Sequence, residues 1–233
     1  ESLAHAILEM GGSIFVGDLV QRLAFHGGRI GEVELRDVSL SFDAVVATVS
    51  SPAFVSLAPG LPDDYRQKLG ATPYLFALCL LLVLSRRFMP FYWLNTGDAM
   101  PFVAVVEHTN LVPAERYQGK HLLYISNYVA SDNPLIAVDA EGLLEHYLPH
   151  LRRISPGFDP AWIGEYHLFR EGAAQPVVNT GYGDRMLELR TPVEGLYLAN
   201  TAQIYPEDRG MNCSVRLGLE VGGMVLEDWK GYP

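Results

Sequence analysis

Cysteine is nearly absent from this sequence: two residues in 233, Cys79 and Cys213, with no spacing that suits a metal. A disulfide framework is excluded, and a reducing, cytoplasmic setting is the expectation. Basic residues are also few, 17 against 27 acidic, for a formal charge of −10. No lysine- or arginine-rich stripe is available to track phosphates, so nucleic acid is not an expected partner. Long apolar runs are missing too. The longest, Tyr74 to Leu84 (YLFALCLLLVL), is stopped by Ser85-Arg86-Arg87. It falls short of the roughly 20 residues a bilayer span needs, so a buried strand is expected and a stable membrane span is not. There is no G-x-S-x-G elbow for a nucleophile. His146 and His150 lie four apart without the Glu of an H-E-x-x-H zinc site. Finally, no G-x-G-x-x-G follows a strand. Gly181-Tyr182-Gly183 runs into Asp184-Arg185-Met186, which cannot cradle a pyrophosphate.

What is present belongs to a folded protein. Hydrophobic residues make up 49% and charged residues 19%, enough to build a sizeable core. Ser2 to Met10 reads as a helix stopped by Gly11-Gly12. Short strands are expected at Ser13 to Val16, Leu19 to Leu23, Ile30 to Leu35 and Val38 to Phe42. The β-branched run Asp43 to Val49 (DAVVATV) has the texture of a central strand. From Tyr74 onward the runs 74–84, 91–94, 102–108, 121–128 and 161–170 suggest a mixed or antiparallel sheet. Asp139 caps the clearest helix, in which Leu143, Leu144, Tyr147, Leu148 and Leu151 recur at helical spacing.

The tail carries the most chemistry. Gly195-Leu196-Tyr197-Leu198-Ala199 is a short strand ending at Asn200-Thr201. A Tyr-Pro-Glu-Asp-Arg loop follows, and Gly210 opens a helix containing Gly218, Gly222 and Gly223. A helix N-terminus offers free N–H groups and a positive dipole end to phosphates and ring carbonyls. On spacing alone, the segment reads first as an ordinary strand–loop–helix crossover with glycines for packing.

Gly195 to Asn200, with Gly210-Met211-Asn212, Ser214 and Gly218, resembles the C-terminal FAD-binding motif of the flavin amine oxidase, protoporphyrinogen oxidase and phytoene desaturase superfamily. The departure is Asn200, where that family places glycine followed by an acidic residue. Leu3 to Val20 (LAHAILEMGGSIFVGDLV) is similar to the family's helix and "GG-x-I" segment. Asp43 to Val49 is similar to its strand beside the cofactor. Tyr92 to Asn95, Pro101 to Asn110, Tyr124 to Tyr128, Phe169-Arg170 and Ala174-Gln175-Pro176 resemble a bacterial protoporphyrinogen-oxidase-like and UDP-galactopyranose-mutase-like branch.

The resemblance implies an α+β chain with FAD as cofactor and a small organic substrate. Residues 1–70 and 181–233 would belong to the flavin domain and 71–180 to a substrate domain with flanking helices. The dinucleotide fingerprint would lie in a missing N-terminal part of the same protein. By resemblance Val20 lies near the adenine end and Thr48 near the flavin, while Asn200, Thr201, Arg209, Gly210, Met211 and Asn212 line the cofactor. His108, Tyr92 and Arg170 are candidates for the substrate side, each with an ordinary structural reading beside the functional one. The implied reaction takes a hydride from a C–N or C–C bond. The alternatives are a mutase-like flavoprotein and a non-catalytic fragment that does not bind FAD by itself.

Overall fold

The computed structural model of the chain describes residues 2–97 and 99–230. They form an α+β fold in two compact units. One unit joins the residues up to Thr72 with those from Asn179 onward, and the other is the continuous stretch Pro73–Val178.

In the first unit, helix α1 (Ser2–Glu9) is followed by residues 10–21 without strand or helix. The strand expected at Ser13 to Val16 does not form, and the one expected at Leu19 to Leu23 begins only at Arg22. Phe15, Val16 and Leu19 are 71%, 85% and 78% exposed, so the apolar residues have no partner strand to fix them. β1 (Arg22–His26), β2 (Arg29–Glu34) and β3 (Ser39–Ser41) make an antiparallel sheet in that order. β4 (Val45–Ala47) leads into helices α2 (Ser51–Leu57) and α3 (Asp63–Gly70). Only the middle of the Asp43 to Val49 run is strand, and Val46 and Val49 are each 37% exposed. Among the described residues, the central strand expected there has a neighbour on one side only, β10 (Leu196–Leu198). A core of Leu23, Ile30, Phe54, Leu61, Leu69 and Leu196 holds this unit together.

Tyr65 sits in that core with a buried hydroxyl that has no hydrogen-bond partner among the described residues. Burial pushes its phenol up from an ordinary 10 to about 12. Between those values the unfolded chain releases a proton that the folded chain keeps, so stability falls as pH rises through the window. Tyr65→Phe is expected to flatten that alkaline loss. At neutral pH it should leave stability unchanged or raise it by up to about 1 kcal/mol, because an unpaired buried hydroxyl is removed. Denaturant melts at pH 7 and pH 11 test this; equal alkaline losses in both proteins would refute it.

The second unit is built on a five-stranded, wholly antiparallel sheet. In chain order its strands are β5 (Tyr74–Leu84), β6 (Trp93–Asn95), β7 (Ala104–Glu107), β8 (His121–Val129) and β9 (Ile163–Pro176), arranged β6-β7-β8-β5-β9. β5, the most apolar run, is central, as strands flanked on both sides are. Helix α4 (Ala140–Ile154) starts at the Asp139 cap, whose Oδ1 accepts from Gly142 N–H at 2.9 Å. It lays Leu143, Tyr147 and Leu151, all fully buried, on Leu80, Leu82, Leu123 and Ile125.

Candidate functional site

After the second unit the chain returns to β10 (Leu196–Leu198), which pairs in parallel with β4, Tyr197 opposite Val46. Gly195 makes the entry possible. Its φ is +73°, and a Cβ there would lie 2.7 Å from the Asp43 carbonyl oxygen, so no side chain fits. On one face the pair covers the core of the first unit, and on the other Tyr197 and Ala199 meet Val221 of α5 (Met211–Lys230). Arg190 grips Asp228 with two hydrogen bonds of 2.8 and 3.0 Å, and Tyr197 Oη donates to the same carboxylate at 2.6 Å. Those bonds hold the Asp228 carboxyl below its usual range. A cleft of about 530 Å³ between residues 186–190 and α5, lined by Glu188, Arg190, Tyr205, Arg216 and Glu220, was not visible in the sequence. Its walls come from segments distant in the chain.

The carboxyl ends of β4 and β10 lie side by side, the position where open parallel sheets bind ligands. Thr48 is exposed there. Asn200 is 7% exposed and its side chain is fully engaged. Nδ2 donates to Val49 O at 3.0 Å and Ser51 Oγ at 3.3 Å, while Oδ1 accepts from Ala202 N at 2.9 Å. The position therefore suits an amide side chain. An amide donates to the Val49 carbonyl and accepts from a backbone N–H at once, which an ionised carboxylate cannot do. Asn200→Asp would set a carboxylate against that carbonyl, so a loss of about 1–3 kcal/mol is expected. An unchanged thermal melt would refute it. Thr201 opens the short 3-10 turn that Asn200 caps.

The loop then runs to Arg209, whose backbone N–H donates to Asp208 Oδ1 at 2.9 Å. The neighbouring Glu207 carboxylate is taken by Arg216, which also holds it below its ordinary pKa. Gly210 is half-buried, and a Cβ on it would meet only the Asn212 side chain. Met211 is 86% exposed and Asn212 is exposed. The first turn of a 20-residue helix is therefore open, with the amides that no helical carbonyl can satisfy. Thr48, Asn200 and Thr201 are brought together at the strand ends. Val20 is not among them; it packs against the core of the first unit.

In the second unit strand register sorts the remaining candidates. On the face away from α4, one cross-strand row reads Trp93, Val106, Tyr124, Leu81, His167, and the next reads Asn95, Ala104, Ser126, Cys79, Phe169. Trp93, Tyr128 and Phe169 are 53%, 41% and 57% exposed. Burial raises the Cys79 thiol and the Tyr124 phenol, so both are neutral near pH 7. His108 Nε2 lies 2.7 Å from Tyr117 Oη, and its ring stands edge-on to Tyr117 and Tyr124 at 5.4 and 5.9 Å. Tyr92 is half-exposed beside Trp93, and its carbonyl accepts from Glu107 N–H. Arg170 does not join them. It pairs with buried Leu78 on the α4 face and donates to the Val138 carbonyl. Among the described residues no group of three or more His, Cys, Asp or Glu side chains could hold a metal ion, and no helix is long and apolar enough to cross a membrane.

No family model matches the sequence, and no curated protein does. Solved structures do. An oxidoreductase from Methanosarcina mazei matches with a TM-score of 0.73 at 21% identity, over 95% of this chain and 52% of its own. Putrescine oxidase with putrescine bound matches at 0.73 and 15%, over 97% and 52%. Reduced UDP-galactopyranose mutase matches at 0.57 and 15%, over 76% and 39%. The chain spans about half the length of the first two. Over nearly all of its own length it has the fold of about half of each of those two structures.

Proposed function

We propose that this chain is the C-terminal portion of an FAD-dependent oxidoreductase that oxidises a C–N or C–C bond of a small organic substrate. The observation that carries the reading is the tail: a parallel strand pair, a polar loop, and the open first turn of α5 at Gly210 to Asn212. Its residues fit one wall of a flavin site. The backbone amides of Met211 and Asn212 can donate to ring or ribityl oxygens, and the helix dipole favours electron density there. Thr48 and Thr201 offer hydroxyls at the strand ends, and Asn200 holds the two ends in register. Arg209 adds a cation just ahead of the helix. The pyrophosphate cradle would come from elsewhere in the protein, because no glycine fingerprint exists here.

When bound, FAD supplies the hydride acceptor. The second unit contributes the substrate surface, namely the aromatic rows of the sheet face away from α4. Trp93, Tyr128 and Phe169 offer flat apolar contact. The His108–Tyr117 pair can hold or pass a proton at Nε2 or Oη. A mutase-like role fits less well, since a sugar diphosphate needs converging arginines and those rows contain none. Purifying the parent protein and recording its visible absorbance tests the proposal. The expected result is a yellow protein that releases FAD on denaturation. A colourless protein that FAD does not stabilise against heat would overturn it.

A further inference from the structure

Pro149 stands inside helix α4 and leaves one of its turns incomplete. Proline has no N–H to give the carbonyl four residues back, so the turn from Glu145 to Pro149 lacks its backbone hydrogen bond. Two histidines span the same stretch. His146 and His150 are four apart, the spacing that sets side chains one above the other on a helix face. Their ring centroids lie 6.1 Å apart.

Both rings are held from below. His150 meets Phe102 edge-on at 6.4 Å, and His146 lies against Tyr147 at 5.7 Å. Phe102 and Tyr147 are themselves buried in the core under α4. Nδ1 of His150 is shut off from solvent and has no hydrogen-bond partner among the described residues. Buried polar atoms are ordinarily paired, so this one needs an explanation. His146 is exposed, which leaves the pair open on one side. Arg153 is the cation facing His150, and its guanidinium is turned to the Ala99 carbonyl at 3.2 Å. Two imidazoles on one metal ion, each bonded at about 2.0–2.1 Å, have ring centres roughly 4.5–6.5 Å apart. The spacing on α4 falls inside that span, so closing the pair on an ion takes side-chain rotation and no movement of the helix.

We propose that His146 and His150 form a two-histidine site for a borderline divalent transition-metal ion, Cu(II), Ni(II) or Zn(II), bound through one ring nitrogen of each, with water in its remaining positions. Imidazole suits those ions, whereas Mg(II) and Ca(II) require oxygen ligands that the pair does not offer. By bridging residues 146 and 150, the ion clips the turn whose backbone bond Pro149 removes. Its role is structural. Tyr147, fully buried, stands where an H-E-x-x-H enzyme carries its general base, so no carboxylate is in place to activate a bound water. α4 packs on the sheet face opposite the aromatic rows, and the site is independent of the flavin reading.

The full chain, freed of metal and of any histidine tag, is titrated with Cu(II), Ni(II) and Zn(II), and with Mg(II) as a control. One ion per chain is expected, held most tightly when it is Cu(II). At a free concentration about 100 times the dissociation constant, the midpoint of thermal unfolding should rise by about 5 °C or more. Zn(II) should shift the ring-proton NMR signals of His146 and His150 together. His146→Gln keeps an exposed polar side chain, so the fold is expected to survive it. It and His150→Gln should each weaken binding about tenfold or more and abolish the rise in melting temperature. His167→Gln, which removes an exposed histidine beside Glu165, should change neither. Wild-type affinity in both the His146 and His150 variants would overturn the proposal. So would a shift of only one of the two rings, or a rise with Mg(II) as large as that with Zn(II).

Discussion

Tyr147→Ala should lower the stability of the 73–178 unit by about 3–5 kcal/mol, the range for removing a large aromatic from a closed core. Tyr147 projects from the middle of α4, is fully buried, and meets Phe102 edge-on at 5.0 Å between ring centroids. Its hydroxyl lies 3.4 Å from Asn127 Nδ2, which also donates to Pro101 O at 2.7 Å. Truncation therefore opens a cavity between helix and sheet and removes one of two acceptors from a buried amide. Tyr147→Phe keeps the packing and should cost only about 0.5–1.5 kcal/mol, the net worth of one hydrogen bond. Of the three tryptophans, Trp93 and Trp162 lie in this unit and Trp229 in the other. Tryptophan fluorescence in a urea series therefore weights the unit concerned. A loss below about 1 kcal/mol for the alanine variant would show that α4 does not close this core.

Glu107→Ala carries the second large effect. Glu107 is fully buried at the end of β7, and its carboxylate accepts from Phe88 N–H at 3.0 Å and from Thr109 Oγ1 at 2.7 Å. His121 Nδ1 lies 3.6 Å away, and Thr109 Oγ1 also stands 3.2 Å from it. Removing the carboxylate leaves the buried Phe88 N–H without its acceptor and breaks the bond from Thr109 Oγ1, an expected loss of about 2–5 kcal/mol. Glu107→Gln keeps one oxygen and should lose roughly half as much. The Phe88 amide reads the effect locally, since its hydrogen exchange should accelerate in the alanine variant. Unchanged Phe88 protection with unchanged stability would show that the cluster is not holding residues 88–109 together.

The elements legible in the sequence are those set by local signals. Asp139 and the repeat from Leu143 to Leu151 placed α4 to within a residue. The apolar run 74–84 placed β5, and Leu196 to Ala199 placed β10. β9 extends past the expected Arg170 to Pro176 because it is an edge strand, and its polar residues Glu165, His167 and Glu171 carry no alternating apolar pattern. Partners distant in the chain were not legible. The run at Ser13 to Val16 is apolar enough for a strand but finds no neighbour. Asn200 reads as a ligand group until Val49, 151 residues earlier, is seen to accept its amide. The face occupied by Arg170 depends on which β5 residue it opposes, and that register follows from the whole sheet. The Glu107–Thr109–His121 cluster has no signature spacing, and only the β7–β8 pairing brings it together.

The hydrogen bond from Val177 N–H to Pro73 O joins the two ends of the second unit, and Tyr74 pairs with Pro176 beside it. This has a consequence for the order in which the polypeptide can fold. The first unit must bring β4 to β10 across a loop of about 150 residues, and the entropy of closing a loop grows with its length. Once Pro73–Val178 has folded, entry and exit strands are already side by side. The loop left to close is then only the two short stretches outside it, about 40 residues. Continuous in sequence, the second unit can also be complete before β10 leaves the ribosome. The inserted sheet is thus a clamp on chain entropy for the strands that flank it.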